Sequence, residues 1–170
     1  MQMIFGYDEA LAEWASKQIP IMRYTKGFGP CRSIGVGLPE QDKLYAAIVY
    51  HDYMEFENNY KTCQISIAAV NPRWATRGII RALLSVPFEQ YGINKLWCFM
   101  ESTNHRAIKF NKGIGFKQEA TLGHHFGKNR GAVITRMLKS DYDRIYGDGR
   151  VLSKTGNVVN FPCIDMKIKA

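Results

Sequence analysis

The stretch Asn71–Phe116, NPRWATRGIIRALLSVPFEQYGINKLWCFMESTNHRAIKFNKGIGF, decides how this chain folds. Asn71-Pro72 closes a strand, because a proline cannot donate to a ladder. After the turn Trp74-Ala75-Thr76, the run from Arg77 to Tyr91 reads as a helix. Its Ile80, Leu83, Leu84, Phe88 and Tyr91 share one side. Pro87 removes one backbone hydrogen bond there and should kink or divide the helix, and Gly92 is a natural stop. Lys95 to Met100 (KLWCFM) is nearly all apolar, as expected of a strand buried on both faces. Asn104 is placed to cap a helix from His105 to Lys112, which ends before Gly115-Phe116.

Outward from this core, strands are expected at Ser33 to Leu38, Leu44 to Tyr50 and Thr62 to Val70 on one side. Phe116 to Phe126 and Ala132 to Leu138, joined at GKNRG, follow as an antiparallel pair. Asp8 to Lys17 reads as a helix with Asp8 as its cap, and Gln18 to Arg32 as loop or broken helix. Strands, helix, strand, helix and hairpin give an α/β (α+β) domain with a mixed sheet. One domain over residues 1–148 is expected, with 149–170 a tail able to add an edge strand.

The composition is that of a globular protein: 46% hydrophobic and 22% charged residues. No apolar run approaches the ~18 residues of a membrane span, and no basic-then-apolar leader precedes the first helix. A cytoplasmic location is the expectation. Cys31, Cys63, Cys98 and Cys163 are scattered, without CxxC or Cys/His spacing, so neither a metal nor a disulfide framework is expected. The net charge of +8 calls for an anionic partner or serves solubility. Nucleic acid is one such partner, and a phosphate-rich cofactor beside Arg73, Arg77, Arg81, Arg106, Lys109 and Lys112 is another.

A glycine at a helix start lets a backbone amide approach a phosphate, and unpaired N–H groups with the helix dipole hold it. Alone, Gly78 is more often an ordinary helix entry than a phosphate site. The joint order resembles the acetyl-CoA-binding core of the GCN5-related N-acetyltransferases (GNAT), and among them the RimJ/RimL-like branch, including small phage- or bacteria-encoded members. In that family the turn shows Arg or Gln, two free positions, Gly, one free position, then Gly or Ala. Gly78 takes the first glycine, whereas Ala75 stands for the Arg/Gln and Ile80 for the second glycine. Asn104, Ala107, Gly115-Phe116, the run KQEA at 117–120 and Met137-Leu138 carry the rest, from about Leu44 to Tyr142.

The resemblance implies a mostly antiparallel sheet flanked by helices and splayed between its fourth and fifth strands. It implies acetyl-CoA as co-substrate, bound by Ala68, Ala69 and Val70 on the fourth strand and by Trp74, Ala75, Thr76, Arg77, Gly78, Ile79 and Ile80 at the turn. Asn104, Ala107 and Asn111 complete that set. It also implies direct attack of an amine on the thioester, with fourth-strand amides stabilising the oxyanion. Asn111 stands where many members place a tyrosine acid, so Ser102, or a water on Asn104, is the candidate acid. His51, Asp52, Glu55 and Glu57, read as one loop between the second and third strands, are candidate bases, His51 and Glu57 foremost. Of His124 and His125, alternation should turn one inward, more in keeping with a core histidine than with a base.

The acceptor implied is a primary amine: a protein N-terminus, a small molecule or an aminoacyl group, with the charge favouring an RNA- or ribosome-borne one. The cytoplasm would be a host's for a phage-encoded member, and monomer and homodimer are both open. Two other classes remain. One keeps the fold as a binding or structural protein, favoured by Ala75, Ile80 and Asn111. The other is a basic nucleic-acid module, which would bind with steep salt dependence.

Overall fold

A computed structural model describes residues 1–147 of the chain; the expected tail lies outside the described residues. Seven strands form one sheet in the order β1-β2-β3-β4-β5-β7-β6. They are β1 (Gln2–Ile4), β2 (Cys31–Leu38), β3 (Lys43–Glu55), β4 (Lys61–Ala69), β5 (Lys95–Glu101), β6 (Lys117–Gly127) and β7 (Arg130–Leu138). All neighbours are antiparallel except β4 and β5. Four α-helices flank the sheet: α1 (Asp8–Gln18), α2 (Arg77–Ser85), α3 (His105–Gly113) and α4 (Lys139–Tyr146).

The two faces of the sheet bury different sets of residues. On one face α1 sets Leu11, Ala12 and Ala15 against Ala47, Val49, Ala68 and the loop residue Phe28. On the other, α2 brings Ile80, Leu83 and Leu84 onto Ile48, Ile65, Leu96 and Met100. Trp74 of the lead-in to α2 contacts Phe110 of α3, ring centroids 5.6 Å apart, so the start of α2 is tied to the body of α3. Burying side chains of this size contributes about 1.5–3 kcal/mol each.

Several local readings change. Helix α1 begins at Asp8, but Asp8 does not cap it; Tyr7 precedes it without a side-chain cap. The Asp8 carboxylate instead accepts from the Ser33 amide (2.6 Å) and the Arg32 guanidinium (2.9 Å), pinning the helix to β2. Pro87 divides the predicted helix: α2 stops at Ser85, and Val86–Gln90 form a π-turn closed by Tyr91 N–H to Val86 O. Strand β1 and helix α4 have no counterpart in the sequence reading. Gly115 sits at φ +104°, and a Cβ there would strike Ile145 of α4. Gly115 is thus required by chain reversal and by helix docking.

Candidate active site

Strands β4 and β5 pair only at Thr62–Lys95, Cys63–Leu96 and Gln64–Trp97. The start of the pair is clamped by Asn94, which donates its N–H to Lys61 O and accepts the Lys61 N–H on Oδ1, both at 2.8 Å. Beyond Gln64 each strand follows a different neighbour: β4 stays with β3 to Ala69, and β5 stays with β7 to Glu101. The strands therefore part, leaving backbone groups unpaired along the gap.

Which groups face the gap follows from ladder alternation. Val70 donates to Tyr45 O at 2.9 Å, so Val70, Ala68 and Ser66 turn their backbone toward β3, while Ile67 and Ala69 turn theirs toward β5. On β5 the bonds Lys139 N–H to Asn94 O and Ser102 N–H to Gly131 O fix the phase, so Phe99 and Glu101 face the gap. The Glu101 carbonyl is already taken by the Asn104 amide at 2.8 Å. Among Ala68, Ala69 and Val70, Ala69 alone offers an N–H to the opening, and Ile67 joins it.

The turn after β4 runs into the N-terminus of α2. Asn71 Oδ1 accepts from Arg73 N–H (3.0 Å) and shapes the turn, and Thr76 caps the helix by accepting the Ile79 amide on Oγ1 (3.3 Å). Ile80 N–H reaches Thr76 O at 2.9 Å. The amides of Arg77 and Gly78 have no acceptor within the helix. A Cβ on Gly78 would meet nothing within 4 Å, so packing does not demand a glycine there; the space beyond it is open. Trp74 (4% exposed) and Ile80 (7%) bury their side chains in the core, and only their backbone borders the turn. Ala75 and Ile79 are half-buried against the same core. At the start of α3, Asn104 Oδ1 accepts from the Ala107 amide (3.1 Å), leaving its Nδ2 as donor.

Asn111 is elsewhere. Its side chain is buried, and Nδ2 donates to Cys98 Sγ (2.8 Å) and Thr135 Oγ1 (3.1 Å) beneath the sheet. Burial pushes the Cys98 thiol up to about 11 and Cys63 to about 12, so both stay protonated, as suits core thiols. Ser102 lies in the turn after β5, beside Gly131 of β7.

The face toward α1 holds the other group of candidate residues. His51 belongs to strand β3, not to a loop, and is only 6% exposed. Its Nε2 lies 2.9 Å from Ser66 Oγ and its Nδ1 2.9 Å from Asp52 Oδ2. Burial holds the His51 pKa below its ordinary value, against the upward pull of Asp52. Glu57 is not brought near: it sits in the exposed β3–β4 turn, before the paired start of β4. At ~3.3 Å per residue that turn is roughly 17 Å or more from Ser66.

Trp97 and Phe99 share the Ser66 face, because Trp97 pairs with Gln64. Phe99 stacks with Phe126 (5.8 Å) and meets His125 edge-on (5.8 Å). Neither His124 nor His125 is in the core; both are exposed. A bulge in β6, with His124 at φ +55°, breaks the alternation and swings His125 and Phe126 over Phe99.

This architecture matches solved structures. The chain superposes on smu.2055 from Streptococcus mutans with a TM-score of 0.59 at 18% identity, over 82% of this chain and 99% of that one. It matches the spermidine/spermine N-acetyltransferase SpeG from Vibrio cholerae with a TM-score of 0.53 at 18% identity, over 68% and 69%. It has the fold of the GNAT acetyltransferases. A ribosomal-protein-S5-alanine acetyltransferase from Vibrio fischeri gives 0.54 at 12% identity, over 66% and 63%. No protein-family model and no curated sequence matches the chain. Among the described residues no helix is long and apolar enough to cross a membrane.

Proposed function

We propose that the chain is an N-acetyltransferase that passes an acetyl group from acetyl-CoA to a primary amine by direct attack on the thioester. The observation that carries this is the parting of β4 from β5 beside an open helix start at Gly78. The fit is one of backbone donors: the Arg77 and Gly78 amides for a pyrophosphate, with Trp74, Ala75, Thr76, Ile79 and Ile80 shaping the turn. The gap-facing N–H groups of Ile67 and Ala69, next to Ala68 and Val70, suit an acetyl-bearing arm. Asn104 and Ala107 close the cradle at α3, and Arg73, Arg77 and Arg106, exposed nearby, suit its anionic end. Asn111 supports the site from the core.

Acetyl-CoA supplies the activated acyl group; the chain positions it and manages protons. His51, held neutral by burial, is the base we favour over Glu57. Ser102, at the open end of β5, is the candidate acid for the departing sulfur. The amine acceptor lies on the α1 face, against Phe99 and Phe126, whose ring faces suit a cation or its alkyl chain. The charge of +8 supports an acceptor carried on RNA or the ribosome, and with it a place in the cytoplasm. Whether one chain or two form the working unit is decided by sedimentation.

Calorimetry with acetyl-CoA tests the reading, with Gly78→Glu as control. Saturable binding, lost in the variant, is expected, followed by CoA release with one of three amines: spermidine, an alanine-first peptide or an aminoacyl-tRNA. A folded wild-type protein that takes up no acetyl-CoA would instead make this a GNAT fold turned to binding. The buried Ile80 and Asn111 at two motif positions favour that second reading.

A further inference from the structure

We propose that Ser66, His51 and Asp52 form a proton relay, with Ser66 Oγ as the group that touches the acceptor amine. This rests on the acetyltransferase reading above and assigns its acceptor-side chemistry.

Three independent features support it. The first is geometry: Ser66 Oγ to His51 Nε2 and His51 Nδ1 to Asp52 Oδ2 are both 2.9 Å. One tautomer satisfies both contacts. Nδ1–H donates to the carboxylate, and Nε2 accepts from the serine hydroxyl, the arrangement by which a carboxylate orients an imidazole base. The second is place. Gln64 makes the last pair with β5, and Ser66 is the next residue on that face, so its hydroxyl stands where the strands begin to part. Ile67, its neighbour, offers an N–H to the gap.

The third is backbone strain. Asp52 lies in a bulge of β3, between the pairs His51–Gln64 and Met54–Thr62, at φ +49°. That conformation costs a non-glycine residue about 1 kcal/mol or more. It swings the carboxylate back toward His51, where a regular strand would point it to the opposite face. Phe28 covers the imidazole, ring centroids 4.9 Å apart, so His51 is approached through Ser66.

The step balances as follows. The amine nitrogen forms the C–N bond, the C–S bond breaks, and its electron pair leaves on the CoA sulfur. The proton lost by nitrogen passes to Ser66 Oγ as the serine proton passes to His51 Nε2. The Asp52 carboxylate stabilises the imidazolium through Nδ1–H; the Nε2 proton returns through Ser66 Oγ to water in the opening, and solvent supplies one to the thiolate by way of Ser102. The serine is unchanged over the cycle.

The groups facing His51 are few. Asp52 stands beside it, Ser66 and the Cys63 thiol (which donates to His51 O) come from β4, and the Cys31 thiol lies opposite on β2. Helix α1 packs Leu11, Ala12 and Ala15 on this face, and its Asp8 and Glu9 act on the Cys31 thiol from the start of the helix. Both thiols are pushed up by burial, so an acid limb in the pH–rate profile reports the imidazole.

The test is steady-state acetylation of spermidine and an alanine-first peptide by wild type, Ser66→Ala, His51→Gln and Asp52→Asn, with acetyl-CoA affinity and melting measured on each. The relay predicts a fall in kcat of about 10²-fold or more for Ser66→Ala and His51→Gln, with acetyl-CoA affinity kept. Asp52→Asn should move the acid limb of kcat/KM to lower pH, since Asp52 raises the His51 pKa; a merely structural Asp52 would not move it. Ser66→Ala turning over at the wild-type rate overturns the relay while leaving the acetyltransferase reading intact. Acetyl-Ser66 trapped by acid quench overturns it in favour of a covalent route. A wild-type protein that binds no acetyl-CoA overturns both.

Discussion

The two halves of the proposed site are built from different materials. On the α2 side, backbone amides of Ile67, Ala69, Arg77 and Gly78 face the opening, while Trp74 and Ile80 are turned into the core. On the α1 side the proposed working atoms are side chains: Ser66, His51 and Asp52, with Phe99 and Phe126 across the gap. On the acetyltransferase reading, a backbone site tolerates side-chain change, so Ala75 and Ile80 at motif positions leave the cradle open. A side-chain site does not, and it should discriminate between acceptors.

The largest effect expected from breaking this contrast is at Gly78. Gly78→Glu places a charge in the open space where a phosphate would lie, so acetyl-CoA binding should fall below detection by calorimetry. Its Cβ meets nothing, and a carboxylate in the first turn of a helix is favourable. The melting temperature should therefore hold or rise. A variant that melts early would show instead that the glycine serves the fold.

Adjacent prolines sharpen the assignment along β4. Ala69→Pro removes an N–H that faces the gap and should lower kcat by about 10²-fold. Val70→Pro removes the bond to Tyr45 O and should cost about 1 kcal/mol of stability in urea denaturation, with turnover less affected. Equal losses of turnover in both would mean that the alternation is misassigned.

Away from both halves, Asp141 holds α4 against the sheet. It accepts from Lys117 (2.7 Å) and Arg136 (2.8 Å) and from the Leu138 amide (3.3 Å), and Lys117 most of all holds its pKa below the usual carboxylate range. Asp141→Asn should cost about 1–3 kcal/mol near pH 7, discounted for the half-exposed lysine. Because the folded value is depressed, this stability is present above the unfolded pKa of about 3.9 and disappears as pH falls through the folded one. The gap between wild type and variant should close in acid, as read by melts at stepped pH. The smallest effect is expected at the helix cap: Thr76→Ala should cost about 1 kcal/mol by the same melts and weaken acetyl-CoA binding only a few-fold.

The local structure around the proposed backbone half was largely legible. Pro72, Thr76, Gly78, the apolar Lys95 to Met100 run and Asn104 each act through local chemistry, and caps, turns and apolar runs are written in neighbouring residues. The side-chain half was not. His51 and Ser66 are fifteen residues apart and meet only through the β3–β4 register, and a bulge no local pattern announces aims Asp52 at His51. Asp8 shows the same limit: it has the composition of a cap, yet a strand 25 residues on claims its carboxylate.

The sequence by itself determined the order of elements, the helix starts at Thr76 and Asn104, and the place where Pro87 divides a helix, because these depend on contacts a few residues long. Tertiary structure alone decided which amides face the gap, that Asn111 belongs to the core, and that His51 finds a serine and an aspartate. Strand register is a non-local pairing, and a one-residue shift would turn every one of those groups to the other side.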